Sequence, residues 1–145
     1  IYDRARRFMA ENGNPYQWGK AFPPTALLQQ DIAVGRLFVS EDADGIHAAF
    51  AFIIGDDPAY ATITDGAWLS DAPYGTIHRL ASDGKTHGVL DAVVAFCAAR
   101  QPHLRIDTHA ANAIMQHLIL KNGFTRCGIV CTVEDGTPRI AYERL

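Results

Sequence analysis

The chain has few cysteines and no long apolar run. Its 145 residues contain three cysteines, Cys97, Cys127 and Cys131. An odd number of thiols in a domain of this size favours free cysteines in a reducing compartment, so we expect a cytoplasmic protein. No apolar run approaches the roughly 20 residues that a membrane helix needs, and no signal peptide is visible. We therefore expect no membrane partner.

The chain also lacks a strong excess of charge and a metal-binding pattern. Thirteen Lys and Arg residues oppose sixteen Asp and Glu, which gives a net charge of −3 with His neutral. Because no basic stripe stands out, we expect no nucleic-acid partner. The spacings His103–His109 and Cys127–Cys131 do not form a metal site, so we expect no metal. Hydrophobic residues make up 48% of the chain, which indicates one globular domain over residues 1–145.

Apolar periodicity and turn residues predict an alternation of helices and strands. The order is two helices, three or four strands, a helix, a strand, a helix and two strands, which is typical of an α/β or α+β mixed sheet. The connection from strand 76–81 through one helix to strand 104–108 predicts a parallel, right-handed crossover. The predicted helices are 2–12, 24–33, 88–100 and 112–122, and the predicted strands are 36–40, 46–55, 59–64, 76–81, 104–108, 124–133 and 139–145.

The segment SDGKTHG joins strand 76–81 to the helix that begins near Gly88. Backbone amides and the helix dipole favour an anion at such a junction. Gly84-Lys85-Thr86 copies the end of a nucleotide-binding P-loop, but that motif needs a glycine five residues before Gly84, where Arg79 stands. This disfavours a P-loop nucleotide enzyme. A plain strand–helix turn, with Gly84 supplying a positive φ, stays open.

The stretch Lys85-Thr86-His87-Gly88-Val89-Leu90 resembles the acyl-CoA pyrophosphate loop of GNAT-type N-acetyltransferases. That family has Gln or Arg, two residues, Gly, one residue, and then Gly or Ala. Gly88 matches this pattern, whereas Lys85 replaces Gln or Arg and Leu90 replaces the last small residue.

The segment from 112 to 124 resembles the helix that follows in the same family. The family pattern is Asn, a small residue or Met three positions later, Leu after three more, and Gly-Phe at the entry to the next strand. The matching residues are Asn112, Met115, Leu118, Gly123 and Phe124. One helix and one strand separate the two motifs, as in the family.

The resemblance implies a mixed, mostly antiparallel central sheet with helices on both faces, and acetyl-CoA as co-substrate. The family begins with a strand, whereas this chain begins in helix-like sequence, so the first strand is expected to be missing. Strand 77–80 would splay from 104–108 and pair with the pantetheine arm, and a bulge there would aim an N–H at the thioester carbonyl. The implied cofactor contacts are Ile77, His78, Arg79 and Leu80 in the strand, Lys85, Thr86, His87, Gly88, Val89 and Leu90 around the pyrophosphate, and Asn112 and Met115 on the later helix. Asn112 is equally suited to be an N-cap.

The function implied is transfer of an acetyl group from acetyl-CoA to an amine substrate by direct attack. The acceptor is a small amine, an amino acid or a peptide amine. A general base is needed, and His78 is the first candidate, although an ordinary packed histidine stays open. Asp107, together with His109, is the second candidate. The family's proton-donating Tyr falls on Ile119, so the acid is missing or is supplied by Tyr142. A non-catalytic acyl-CoA-binding sensor is the alternative, and a homodimer is left open.

Overall fold

The computed structural model describes residues 1–133 and 135–145, and they form helices and strands close to those predicted. The elements in chain order are α1 (Tyr2–Glu11), α2 (Thr25–Ala33), β1 (Leu37–Asp42), β2 (Gly45–Ile54), a 3₁₀ helix (Pro58–Tyr60), β3 (Gly75–Ser82), α3 (Val89–Ala98), β4 (Leu104–Thr108), α4 (Ala113–Lys121), β5 (Thr125–Cys131) and β6 (Pro138–Arg144).

The six strands form one mixed sheet in the order β1-β2-β3-β4-β6-β5. β1 pairs with β2, and β6 pairs with both β4 and β5, all in antiparallel register. β3 and β4 are parallel, with Gly75 opposite Leu104 and Thr76 opposite Arg105. The predicted mixed sheet and the parallel crossover are therefore confirmed.

The chain divides into two compact units. The first comprises residues 1–53 and 77–89, and the second comprises residues 54–76 and 90–145. In the first unit Ala5, Trp18 and Ala81 form a buried cluster, against which Tyr2 and Phe22 pack. Trp18 and Phe22, from the loop after α1, therefore contribute to the core of this unit.

The second unit has a core that includes an element the sequence did not predict. Tyr60 and Tyr74 are buried there against Val130. The predicted strand 59–64 is wrong: Pro58–Tyr60 is a 3₁₀ helix, and Asp57 Oδ1 accepts a hydrogen bond from the amide of Ala59 at 2.9 Å. An Asp cap followed by Pro is a helix-start signal, and here it outweighs the strand-like composition of the segment.

Helix α1 begins at Tyr2, so no strand lies within the first five residues of the described chain. No helix in residues 1–133 or 135–145 combines the length and the apolar character that crossing a membrane requires.

Gly66 lies against the backbone of β5, and this contact predicts a large loss of stability on substitution. A Cβ atom at Gly66 would lie 1.9 Å from the carbonyl oxygen of Cys127. Overpacking usually costs about 1–3 kcal/mol. Because backbone cannot move aside as a side chain can, we expect Gly66→Ala to cost more than about 3 kcal/mol.

The matched control is Gly35→Ala, which has a positive φ of +70° but no atom within 4 Å of the new Cβ. Its expected cost is about 1–2 kcal/mol from the left-handed backbone alone. Urea denaturation of both variants measures the difference, and equal losses would contradict a steric origin.

Candidate functional site

The loop between β3 and α3 is organised by the carboxylate of Asp83. Its Oδ1 accepts hydrogen bonds from the amides of Lys85 at 2.9 Å and Thr86 at 2.8 Å. Its Oδ2 accepts a third hydrogen bond from Thr86 Oγ1 at 2.8 Å. Asp83 thus engages two of the backbone amides that the sequence assigned to a bound pyrophosphate, and it shapes the loop in doing so.

The three amides that follow in the loop have no acceptor within the described chain. No hydrogen bond within the described part of the chain uses the amides of His87, Gly88 or Val89 as donors. Gly88 has a φ of +71°, and no atom lies within 4 Å of where its Cβ would be. α3 begins directly after it, at Val89. Amides in the first turn of a helix have no intrahelical partner and bind anions well. The side chain of Leu90 is buried in the second unit.

A histidine from β2 completes this loop in the first unit. His47 Nδ1 lies 3.0 Å from Asp83 Oδ2 and 3.0 Å from Thr86 Oγ1, and its Nε2 lies 2.7 Å from Asp42 Oδ1. The hydrogen bond to Asp83, and then the one to Asp42, raise the pKa of His47. The amide of Thr86, followed by His47, holds the pKa of Asp83 well below its usual range. His47 was not among the predicted site residues, because 36 residues separate it from Asp83.

This geometry predicts a pH-dependent contribution of His47 to stability. A histidine whose pKa is raised by folding stabilises the protein fully below its unfolded pKa of about 6.5, and this effect is lost as the pH rises through the folded pKa. We expect His47→Gln to lower Tm most at pH 5.5–6, which is about half a pH unit or more below the unfolded pKa of histidine. The effect on Tm should be smallest at about pH 8.5. Melting curves of both proteins at matched pH measure this. A Tm difference that does not change with pH would show that the charge of His47 is unimportant.

Strand β3 departs from regular geometry at the position where the bulge was expected. Ile77 is buried, whereas His78, Arg79 and Leu80 are half-buried. Arg79 has a φ of +53°, in the left-handed region that a residue with a side chain rarely adopts. Such a residue interrupts regular strand pairing, as a bulge does.

In the second unit, Asp107 at the end of β4 is held by a buried tyrosine. Tyr60 Oη donates a hydrogen bond of 2.7 Å to Asp107 Oδ2, and Arg139 Nε lies 3.9 Å from Oδ1. Burial, and then the charge of Asp107, raise the pKa of Tyr60 well above its usual value. Burial, and then Arg139, lower the pKa of His109. Tyr60 was not among the predicted site residues, and the Asp57-Pro58 start of the 3₁₀ helix was the sequence signal that could have placed it.

The remaining candidates are also in the second unit. Tyr142 lies in β6 and is 2% exposed, and burial raises the pKa of its phenol. Ile119 is fully buried in α4, so no proton donor stands where the family has its tyrosine. Asn112 is the N-cap of α4: its Oδ1 accepts a hydrogen bond from the amide of Met115 at 3.1 Å. The N-cap role is confirmed, and it leaves Met115 half-buried in the first turn.

The segment from Trp68 to Tyr74 is anchored by a buried arginine of β4. The guanidinium carbon of Arg105 lies 3.9 Å from the centre of each of these two rings. Its Nε donates to Glu143 Oε1 at 2.9 Å, and Nη2 donates to the carbonyl of Ser70 at 2.7 Å. These contacts fix the aromatic segment as part of the packed structure.

No protein-family model matches the chain, and no curated protein matches it. Solved structures do. An acetyltransferase of the GNAT family from Streptococcus agalactiae 2603 is 29% identical, with 99% of this chain and 85% of that one covered and a TM-score of 0.87. A GNAT-family acetyltransferase from Listeria monocytogenes 4b F2365 is 16% identical over 97% of this chain and 82% of its own, with a TM-score of 0.67. An acetyltransferase from Bacillus subtilis in complex with CoA is 13% identical over 86% of both chains, with a TM-score of 0.58.

Proposed function

This chain has the fold of the GNAT acetyltransferases, and we propose that it transfers an acetyl group from acetyl-CoA to an amine. The observation that carries the proposal is the loop before α3, where the amides of His87, Gly88 and Val89 have no protein acceptor in the described chain. We also propose that residues 1–145 form one catalytic domain.

The residues around this loop fit the pyrophosphate of CoA. Three amides and the start of α3 offer positive potential, and the ammonium group of Lys85 is exposed nearby in sequence. The space beside Gly88 is open, since a Cβ built there would meet no atom of the described chain within 4 Å. The B. subtilis neighbour binds CoA, which supports CoA as the ligand here. The amides of Lys85 and Thr86 serve the loop itself through Asp83.

The backbone of β3 would bind the acyl-bearing arm. Residues 77–80 would offer hydrogen bonds to pantetheine, and the irregular backbone at Arg79 would supply an N–H to the thioester oxygen. A donor fixed in advance at developing negative charge lowers the barrier, and removing one such donor typically costs about 10²–10³-fold in rate.

The chemistry then needs the removal of one proton from the attacking amine. A C–N bond forms, the C–S bond breaks, and the ammonium proton passes to a base. His78, half-buried in β3, is our first candidate for this base, and Asp107 is the second. CoA thiolate is a tolerable leaving group, so a proton donor such as Tyr142 assists departure without being essential.

We propose direct transfer without an acyl-enzyme, because two of the three cysteines, Cys97 and Cys127, are buried and poor nucleophiles. Burial raises the pKa of Cys97 to about 12. Burial, followed by the charge of Glu143, also raises the pKa of Cys127. Cys131 is exposed on β5. The triple variant Cys97→Ala, Cys127→Ala, Cys131→Ser should keep kcat/KM within about tenfold, or about 1.4 kcal/mol of barrier. A trapped acetyl-cysteine in a mass spectrum, or parallel-line kinetics, would contradict direct transfer.

The test of the whole proposal is release of free thiol from acetyl-CoA with a panel of amines, amino acids and peptides. Amine-dependent release above the rate of hydrolysis is the expected result. The buried Ile119, in place of a proton donor, favours one second candidate, a non-catalytic acyl-CoA sensor. A sensor would show CoA-dependent stabilisation with no amine-dependent release.

A further inference from the structure

The left-handed residue of β3 is bound by a buried carboxylate from α2. Arg79 Nε and Nη2 both donate to Asp31 Oδ2, at 2.9 Å and 2.6 Å. The side chain of Asp31 is 4% exposed and that of Arg79 is 11% exposed. Both residues belong to the first unit. An ion pair this closed to solvent is strongly coupled to the conformation of the two backbones that carry it.

The hydroxyl of Tyr2 in α1 is buried, and Tyr2 interacts electrostatically with both members of this pair. Burial raises the pKa of Tyr2 to about 12, while Arg79 lowers it and Asp31 raises it. Water does not compete well for the guanidinium in such an environment, so the pair holds Arg79 firmly.

The backbone of Arg79 needs such a restraint. Outside glycine, the left-handed region is strained, and it persists only where surrounding contacts impose it. Asp31 is the contact from outside the strand that reaches this residue with two hydrogen bonds.

We infer that Asp31 is a positioning residue for acyl transfer, which holds the left-handed Arg79 and thereby aims the β3 backbone N–H at the thioester oxygen. This inference rests on the proposed function. Asp31 touches neither substrate, and its effect passes entirely through Arg79. Loss of the pair lets residue 79 return to extended backbone and turns the N–H away.

The test uses glycine, which adopts a positive φ without cost. Asp31→Asn keeps the size of the side chain and should lower kcat on the order of 10²-fold, as misplacement of about 1 Å does. In that background, Arg79→Gly should restore most of kcat, because glycine needs no restraint. Arg79→Ala removes the same ion pair but keeps the conformational cost, so it should stay low.

The readouts separate positioning from stability. Affinity for CoA should change much less than kcat in all three variants, because the loop before α3 is intact. Asp3→Asn removes an exposed carboxylate that pairs with Arg6 in the same unit, and it should leave kcat unchanged. Arg79→Lys keeps the positive charge but loses the two guanidinium donors, so it should lower kcat as Asp31→Asn does. This variant serves as a second test if Asp31→Asn folds poorly.

Equal kcat in the glycine and alanine double variants would overturn the inference, as would an unchanged kcat in Asp31→Asn. If wild type transfers no acetyl group to any amine, the proposed function fails, and crystal structures then test separately whether Asp31 holds Arg79 in its left-handed conformation. A φ of residue 79 that leaves the left-handed region in Asp31→Asn would support it, and a φ that stays near +53° would refute it.

Discussion

Gly88→Asp removes the rise in melting temperature that CoA gives to the wild-type protein. A ligand that binds only the folded state stabilises it by about 2.7 kcal/mol at 100 times its Kd. For a chain of about this size, that corresponds to a shift of roughly 5–10 °C. The new carboxylate would stand beside the amides of His87 and Val89 and repel the pyrophosphate that they would bind. Thermal melts with and without CoA measure the loss.

Gly88→Ala is the matched control, because it places a Cβ at the same φ of +71° without a charge. It should melt at a temperature similar to Gly88→Asp without ligand, yet keep a larger part of the CoA shift. The pyrophosphate assignment fails if Gly88→Asp keeps its CoA shift while ATP shifts the wild type more than CoA does.

His78→Ala lowers kcat/KM on the order of 10²-fold at neutral pH, within the range expected for loss of a general base. The loss should shrink as the pH rises, because an increasing share of the acceptor amine is already deprotonated in solution. Rates of transfer measured over about pH 6.5–9.5 test this dependence. The whole range lies below the pKa of a typical amine, which is about 10.

His117→Ala is the control, since His117 is exposed on α4. An unchanged rate in His78→Ala would leave direct transfer standing but move the role of base to Asp107. In that case Tyr60→Phe, which removes the hydrogen bond to Asp107 Oδ2, should change the pH profile of kcat. A loss of equal size at every pH in His78→Ala would indicate a packing role instead of a basic one.

Local signals predicted most of the fold. The spacing of apolar residues predicted α3 and β4, and the observed β4 has the predicted bounds of 104–108. A strand–helix–strand order at short spacing led to the parallel pair of β3 and β4. The loop at Gly88 and the helix at Asn112 resemble those of one family, and this resemblance predicted the fold. Solved structures of that family share the fold. Each of these features depends on neighbours a few residues away.

The predictions were wrong or incomplete where two local sequence signals competed. Residues 59–64 have strand-like composition, but Asp57 and Pro58 begin a 3₁₀ helix. The amides of Lys85 and Thr86 match the family's loop, but Asp83 accepts their hydrogen bonds. A carboxylate two residues upstream can serve as the loop's own anion, and the spacing alone does not reveal that it does.

Length, composition and periodicity by themselves determined that this chain forms a mixed sheet, and the resemblance of the segment around Gly88 to one family indicated a phosphate-type loop at the start of a helix. Only the tertiary structure decided which charges meet: His47 with Asp83, Asp31 with Arg79, and Tyr60 with Asp107. The physical reason is distance along the chain. These partners are separated by 36, 48 and 47 residues, and hydrogen bonds act only between atoms about 3 Å apart. Periodicity describes one element at a time, whereas the packing of the elements brings such side chains together.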